Sequence, residues 1–261
     1  MKVACIQSSA GENYNKNFKQ IIRLINQSIK NRADLIITPE TTSLITDNKN
    51  KLYKNTFKMS TDPLIKKVKE ISKKNKKWIL LGSLPIKEKT KYRNRSIMIN
   101  PKGKIAAYYD KIKMFDVKLP NREQHRESKT YKPGNKLVSV RLPWGRLGLT
   151  ICFDLRFPEI YRNLSKKNLN FISVPSAFTK FTGQKHWLTL LKARAIENFC
   201  YIFAANQFGK NTNKRETFGH SVIISPDGKI LTIKKSGVGV IYSKINPKLS
   251  FDLRKIIPSL N

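Results

Sequence analysis

The chain has 261 residues, 39% of them hydrophobic, enough to bury a sizeable core in one large domain or two small ones. The 52 basic and 17 acidic residues give a net charge of +35, so a nucleic-acid partner has to be weighed. The charge is spread along the chain and 39 of the cations are Lys against 13 Arg, the usual reader of bases, which leaves only non-specific attraction to nucleic acid.

Val3 to Gln7 is an apolar opening strand that includes Cys5. The N-terminus turns polar too soon for a signal-peptide core, and no run reaches transmembrane length, so no membrane partner is expected. From Asn17 to Asn31, Phe18, Ile21, Ile22, Leu24, Ile25 and Ile29 fall at helical spacing. Ala33 to Thr38 is a strand ending in Pro39-Glu40. An acid just past a buried strand lies at the carboxyl edge of a sheet, where α/β proteins place ligands. Low dielectric there would raise its pKa and let it accept a thiol proton; the plainer role is a loop acid that caps the next element. Asp62-Pro63 starts a Lys-rich helix, with Asp62 as N-cap. Leu64, Val68 and Ile71 give that helix one apolar face, so its lysines form a solvated one. Trp78 to Leu84 is a strand.

Ser96 to Ile105 reads as a hairpin around a Pro-Lys-Gly turn. Lys111 follows, marked only by its apolar flank, and Glu127 sits in a polar loop that reads as surface. Leu147 to Ile151 is a buried strand that stops at Cys152, with Pro158-Glu159 starting a helix to about Lys167. A strand-to-helix turn presents its thiol to a pocket and leaves the Phe153 N–H facing a developing oxyanion. Cys5 and Cys200, both in apolar runs, read as packing. Three cysteines without regular spacing exclude a disulfide framework and a Cys-rich zinc site, and a reducing cytoplasmic setting is expected. Phe171 to Val174 is a strand, His186 to Asn198 a helix and Cys200 to Asn206 a strand. Ser221 to Ile230 repeats the earlier hairpin, now around Pro-Asp-Gly; a strand at Val238 to Tyr242 and a tail close the chain.

The alternation is α/β. Two halves of like plan point to a pseudo-symmetric sandwich of two sheets with helices outside. No Pro/Gly/Ser-rich linker divides the chain, so residues 1–261 read as one domain.

Taken together, Thr38-Pro39-Glu40, Tyr109 to Val117 around Lys111, Arg126-Glu127-Ser128 and Ile151 to Glu159 around Cys152 resemble the carbon–nitrogen hydrolase (nitrilase) superfamily. Pro175 to Phe178, Thr182-Gly183, His186-Trp187, Ala193 to Asn198 and Gly219-His220-Ser221 extend the resemblance toward the deaminated-glutathione amidases, with ω-amidases as near relatives. It implies a four-layer αββα sandwich of two mixed sheets with internal pseudo-twofold symmetry, a homodimer, and no cofactor. It implies a thioester mechanism that releases acid and ammonia from a small carboxylate-bearing amide. Cys152 is then the nucleophile, Glu40 the general base, Lys111 the group that favours thiolate and oxyanion, and Glu127 a second acid that helps orient the base and the substrate. Phe153, Arg156, Phe178 and Thr182 are implied to bind substrate. The Arg156 guanidinium suits a substrate carboxylate, and a salt bridge to Asp154 or Glu159 is the equal alternative. Leu188, where relatives often carry an acid, and Phe153, where many carry Tyr, depart from the pattern; the substrate-selecting loop at 118 to 126 has no clear match. An ω-amidase, an N-carbamoyl amidase and a non-catalytic basic binding protein are the alternatives. A Cys-His hydrolase would have to draw its base from His125, His186 or His220, and zinc deaminase chemistry lacks its Cys-x-x-Cys.

Overall fold

The computed structural model describes residues 1–89, 91–120 and 124–260. The first half runs β1 (Lys2–Gln7), α1 (Tyr14–Lys30), β2 (Leu35–Ile37), α2 (Lys49–Lys54), α3 (Pro63–Asn75), β3 (Trp78–Lys87), β4 (Tyr92–Ile99) and β5 (Ile105–Asp110). A ribbon of β6 (Asp116–Lys118) and β7 (Gln124–Arg126) follows; residues 121–123 of the expected substrate-selecting loop lie outside the described residues. The second half runs β8 (Val138–Leu142), β9 (Gly145–Leu149), α4 (Pro158–Ser165), β10 (Phe171–Ser173), α5 (Lys180–Asn198) and β11 (Tyr201–Ala204). It goes on through a ribbon of β12 (Phe208–Thr212) and β13 (Arg215–Phe218) to β14 (Ser221–Ile224) and β15 (Ile230–Lys234), and ends with β16 (Gly239–Lys244) and α6 (Lys248–Ile256).

Side-chain alternation along the strands sets the layers. In β1, Val3 and Cys5 join a cluster with Leu147, Leu149 and Phe203 of the second sheet, while Ala4 and Ile6 pack on Ile21, Leu24 and Ile25 of α1 and Leu64 and Val68 of α3. Tyr161 and Leu164 of α4 and Trp187, Leu191 and Ala195 of α5 extend the inter-sheet cluster on the second sheet's side. The result is an αββα sandwich. The sheet orders, β16-β1-β2-β3-β4-β5 and β8-β9-β10-β11-β14-β15, correspond strand for strand. Each has three central parallel strands flanked by antiparallel ones. The two echoed hairpins occupy equivalent places, and each shifts register beside its turn, between Met98 and Ile99 and between Ile223 and Ile224.

Local chemistry accounts for the element ends. The Asp62 carboxylate accepts the Ile65 N–H at 2.9 Å, Pro63 opens α3, and Lys76 closes it at φ +54°. Helix α5 begins at Lys180, six residues before the predicted start, because its first turns carry no apolar stripe. The expected tail holds α6, and α2 has no counterpart among the predicted elements.

Gly82 joins the halves. A Cβ there would collide with the carbonyls of Thr38 and Pro39 and with the Pro175 side chain, so the strand leading to Glu40 and the segment after β10 meet across a bare backbone. Gly82→Ala is expected to cost about 2–3 kcal/mol through overpacking. Denaturant unfolding measures it; an unchanged midpoint contradicts this close approach.

Candidate active site

Cys152 sits where the apolar strand β9 gives way to a short 3-10 turn, Cys152–Arg156. Its φ of +46° lies in the left-handed region, which a side-chain-bearing residue adopts only when its surroundings impose it. Those surroundings are specific. The Cys152 N–H donates to the Pro175 carbonyl at 3.0 Å, and the Ile151 N–H donates to the Asp154 carboxylate at 2.9 Å. The fully buried Asp154 carboxylate also accepts the Tyr109 hydroxyl at 2.7 Å and the Lys113 N–H at 3.0 Å, tying the cysteine turn to the segment that carries Lys111. Burial pushes the Asp154 pKa up to about 6, against those hydrogen bonds. Among the described residues the Phe153 N–H has no acceptor.

Three chain segments meet at this turn. Lys111 Nζ donates to Glu40 Oε1 and to Glu127 Oε2, both at 2.8 Å. Asn94 Nδ2 bridges the other way, to Glu40 Oε1 and Glu127 Oε1 at 2.9 Å. Backbone completes the set: the Ala177 N–H donates to the remaining oxygen, Glu40 Oε2, at 2.8 Å, and the Phe115 N–H adds a second donor to Glu127 Oε2 at 2.7 Å. Glu127, which reads as surface in the sequence, is thus drawn inward, with its side chain 13% exposed. Asn94 is a member of this cluster that the sequence reading missed, because an Asn between two surface-type arginines carries no local mark.

Protonation in the cluster differs from the expectation for Glu40. Burial alone would raise its pKa, but the Lys111 ammonium and the Arg215 guanidinium outweigh burial and hold it below its ordinary 4.5. For Cys152, burial acts first and the Glu40 charge second, and together they outweigh Lys111, so the thiol is pushed well up. Burial works against the Lys111 ammonium, yet Glu127 and Glu40 keep it charged and raise its pKa. Lys111 does act in the direction expected of it, favouring the thiolate, but burial and the Glu40 charge outweigh it and favour the neutral thiol.

These groups line one cavity of about 200 Å³. Phe153, Arg156, Phe178 and Thr182 line it too, as do Tyr131 and Arg215, neither of which was anticipated. Arg156 lies over the Phe153 and Phe178 rings, 5.9 and 5.3 Å from their centroids, with Nη2 3.3 Å from His186 Nδ1. Neither salt bridge considered for it forms; Asp154 is engaged as above, and Glu159 pairs with Lys113 at 3.6 Å. Phe153 packs edge-on to Phe115 and Phe157. Leu188 packs against the core cluster. The His220 ring stacks on Phe218 and its carbonyl accepts the Trp187 indole N–H, a structural role.

Residues 2–255 match the family model described as Carbon-nitrogen hydrolase. The chain is 37% identical to the deaminated glutathione amidase of Yersinia enterocolitica, over 99% of this chain and 91% of that protein. Among solved structures it resembles the Caenorhabditis elegans NitFhit protein, with a TM-score of 0.92 and 34% identity over 98% of this chain and 63% of that longer one. Saccharomyces cerevisiae Nit3, described as a member of branch 10 of the nitrilase superfamily, superposes with a TM-score of 0.87 at 25% identity, over 99% of this chain and 94% of that one.

Two carboxylates with opposite shifts predict two acid steps. As pH falls, Asp154 takes up a proton near 6 and loosens the cysteine turn, while Glu40 stays ionised until below 4.5. With an uncharged substrate, kcat/KM is expected to show a partial fall near pH 6, absent in Asp154→Asn, and complete loss only below 4.5. A single complete loss at or above neutral pH contradicts the assignment.

Proposed function

This chain belongs to the carbon–nitrogen hydrolase family and is a hydrolase of amide carbon–nitrogen bonds, and from that premise we propose that Cys152 is its nucleophile, Glu40 its general base and Lys111 its oxyanion donor. The observation that carries the reading is the convergence of Glu40, Lys111, Glu127 and Cys152 on one cavity, with Lys111 2.8 Å from both carboxylates.

The amide carbonyl carbon lies against Sγ. As Sγ attacks, its proton passes to Glu40, a carbon–sulfur bond forms, and the carbonyl π pair moves onto oxygen. An ammonium has three N–H donors, and two of those on Lys111 are taken by Glu40 and Glu127. The third, with the unpartnered Phe153 N–H, meets the oxyanion; removing one such donor typically costs about 3–4 kcal/mol of transition-state stabilisation. Protonated Glu40 returns its proton to nitrogen, the carbon–nitrogen bond breaks, and the amine (ammonia where the amide is primary) departs, leaving a thioester. Glu40 then takes a proton from water, whose oxygen attacks the acyl carbon, and the sulfur leaves with a proton as the acid departs. Glu127 positions Lys111 and, through Asn94, Glu40.

The substrate is a small amide bearing a carboxylate, of the deaminated-glutathione type named for the Yersinia relative. Arg156 supports this: its guanidinium lines the cavity with no carboxylate partner among the described residues. Phe153, Phe178 and Thr182 complete the binding wall. The reading includes one catalytic domain, a homodimer and a cytoplasmic setting. Exposed Ile196 and Ile256 offer apolar surface for the dimer, and three buried free cysteines suit reducing conditions. Among the described residues no helix is long and apolar enough to cross a membrane. Contact with nucleic acid is non-specific, through the net charge.

Release of cysteinylglycine from deaminated glutathione and of ammonia from α-ketoglutaramate tests the reading. Cys152→Ala is expected to lose at least about 10⁴-fold in kcat with its fold intact by circular dichroism. Full activity in that variant, or no amine or ammonia from any small amide alongside tight salt-sensitive DNA binding, contradicts it.

A further inference from the structure

Arginines drawn into this protein are, with few exceptions, saturated. Arg95 pairs with Asp110 and Glu88, and Arg194 donates to the Leu155 carbonyl and to Glu197. Arg215, at the start of β13, is different. Its Nη2 donates to the Ala177 carbonyl at 2.8 Å, and among the described residues no carboxylate pairs with it. Its Nε is shielded from solvent without an acceptor, and the group lines the catalytic cavity. A guanidinium carries five N–H donors in a rigid fork suited to a carboxylate, and donors left unfilled in a cavity wall are filled when a ligand supplies oxygens.

The ribbon that carries Arg215 is held firmly. The Phe218 N–H donates to the Phe178 carbonyl at 2.9 Å, and Thr217 bridges Thr179. The two unpaired guanidinium groups also flank different parts of the site. Arg156 lies over the Phe153 and Phe178 rings, whereas Arg215 reaches the Ala177 carbonyl of the peptide beside Glu40.

We propose that Arg215 is a second specificity-determining residue, which takes a substrate carboxylate distinct from the one Arg156 holds, so that the amide hydrolysed carries two acidic groups. This deepens the amidase reading and rests on it. The rival role is positional: through the Ala177 peptide, whose N–H donates to Glu40, Arg215 could serve only to hold the base.

Steady-state kinetics of Arg215→Gln and Arg215→Lys separate the two. The substrates are deaminated glutathione, which has two carboxylates, and its two mono-esters, each lacking one negative charge. Arg215→Gln is expected to raise KM for the parent by about 10- to 100-fold, the worth of a charge-assisted hydrogen bond, and to affect one mono-ester far less. Arg215→Lys restores part of the loss, and in both variants the loss stays mainly in KM rather than kcat. Equal losses for the parent and both mono-esters, falling on kcat and not restored by Arg215→Lys, overturn the proposal. Should the wild type hydrolyse none of them, releasing no cysteinylglycine amine, the amidase reading fails and calorimetry with glutarate still decides on Arg215. Binding at least about 10-fold tighter to wild type than to Arg215→Gln supports the carboxylate site; equal or absent binding in both rejects it.

Discussion

The buried Lys111 ammonium, held 2.8 Å from Glu40 and 2.8 Å from Glu127, is the interaction on which the rest of this site depends. Removing three charged groups from water costs several kcal/mol per ion, and such a cluster persists only when further hydrogen bonds back its ion pairs. Here Asn94, the Ala177 N–H and the Phe115 N–H supply what Lys111 leaves open. With Arg215 nearby, two carboxylates face two cations, and a neutral thiol completes the set. Moving the thiol proton to Glu40 leaves the total charge unchanged. That explains how a cysteine with a strongly raised pKa can still be activated: no net charge is created in the low-dielectric pocket when sulfur attacks.

The sandwich exists to make those contacts rigid. Glu40 follows β2 and Ala177 follows β10, the equivalent strands of the two halves, each after a proline, Pro39 and Pro175. Gly82 lets the two segments approach without side-chain interference. Cys152 then depends on Pro175 for its left-handed backbone, and Glu40 depends on Ala177 for one oxygen. The nucleophile and the base therefore come from different halves of the chain and are fixed by backbone contacts across the pseudo-twofold axis. The buried Asp154 carboxylate performs the same service between the cysteine turn and the loop of Lys111.

Much of this was legible in the sequence where the signal is local. Helix α3 announces itself by Asp62-Pro63 and the spacing of Leu64, Val68 and Ile71, and the twin hairpins by their Pro-x-Gly turns. The start of α5 was hidden because Gly183, a poor helix former, is required there by contact with the Phe218 ring. Site membership was legible for Glu40 and Cys152, which end buried strands, and for Lys111 and Glu127 only through family resemblance. Asn94 and Arg215 left no trace, since their roles arise only when distant segments meet. The direction of the Glu40 shift was misread for the same reason: burial can be inferred from one strand, but the cations that reverse its effect lie 71 and 175 residues further along the chain.

The most direct test of this account is the ionisation of sulfur itself, followed as thiolate ultraviolet absorbance across a pH titration of the resting enzyme, with Cys152→Ala as the blank. The account predicts no thiolate signal from Cys152 at neutral pH, and one appearing only well above the range of an ordinary cysteine. A thiolate already formed at neutral pH would mean that Lys111 prevails over burial and Glu40, and the charge-conserving proton transfer described here would be wrong.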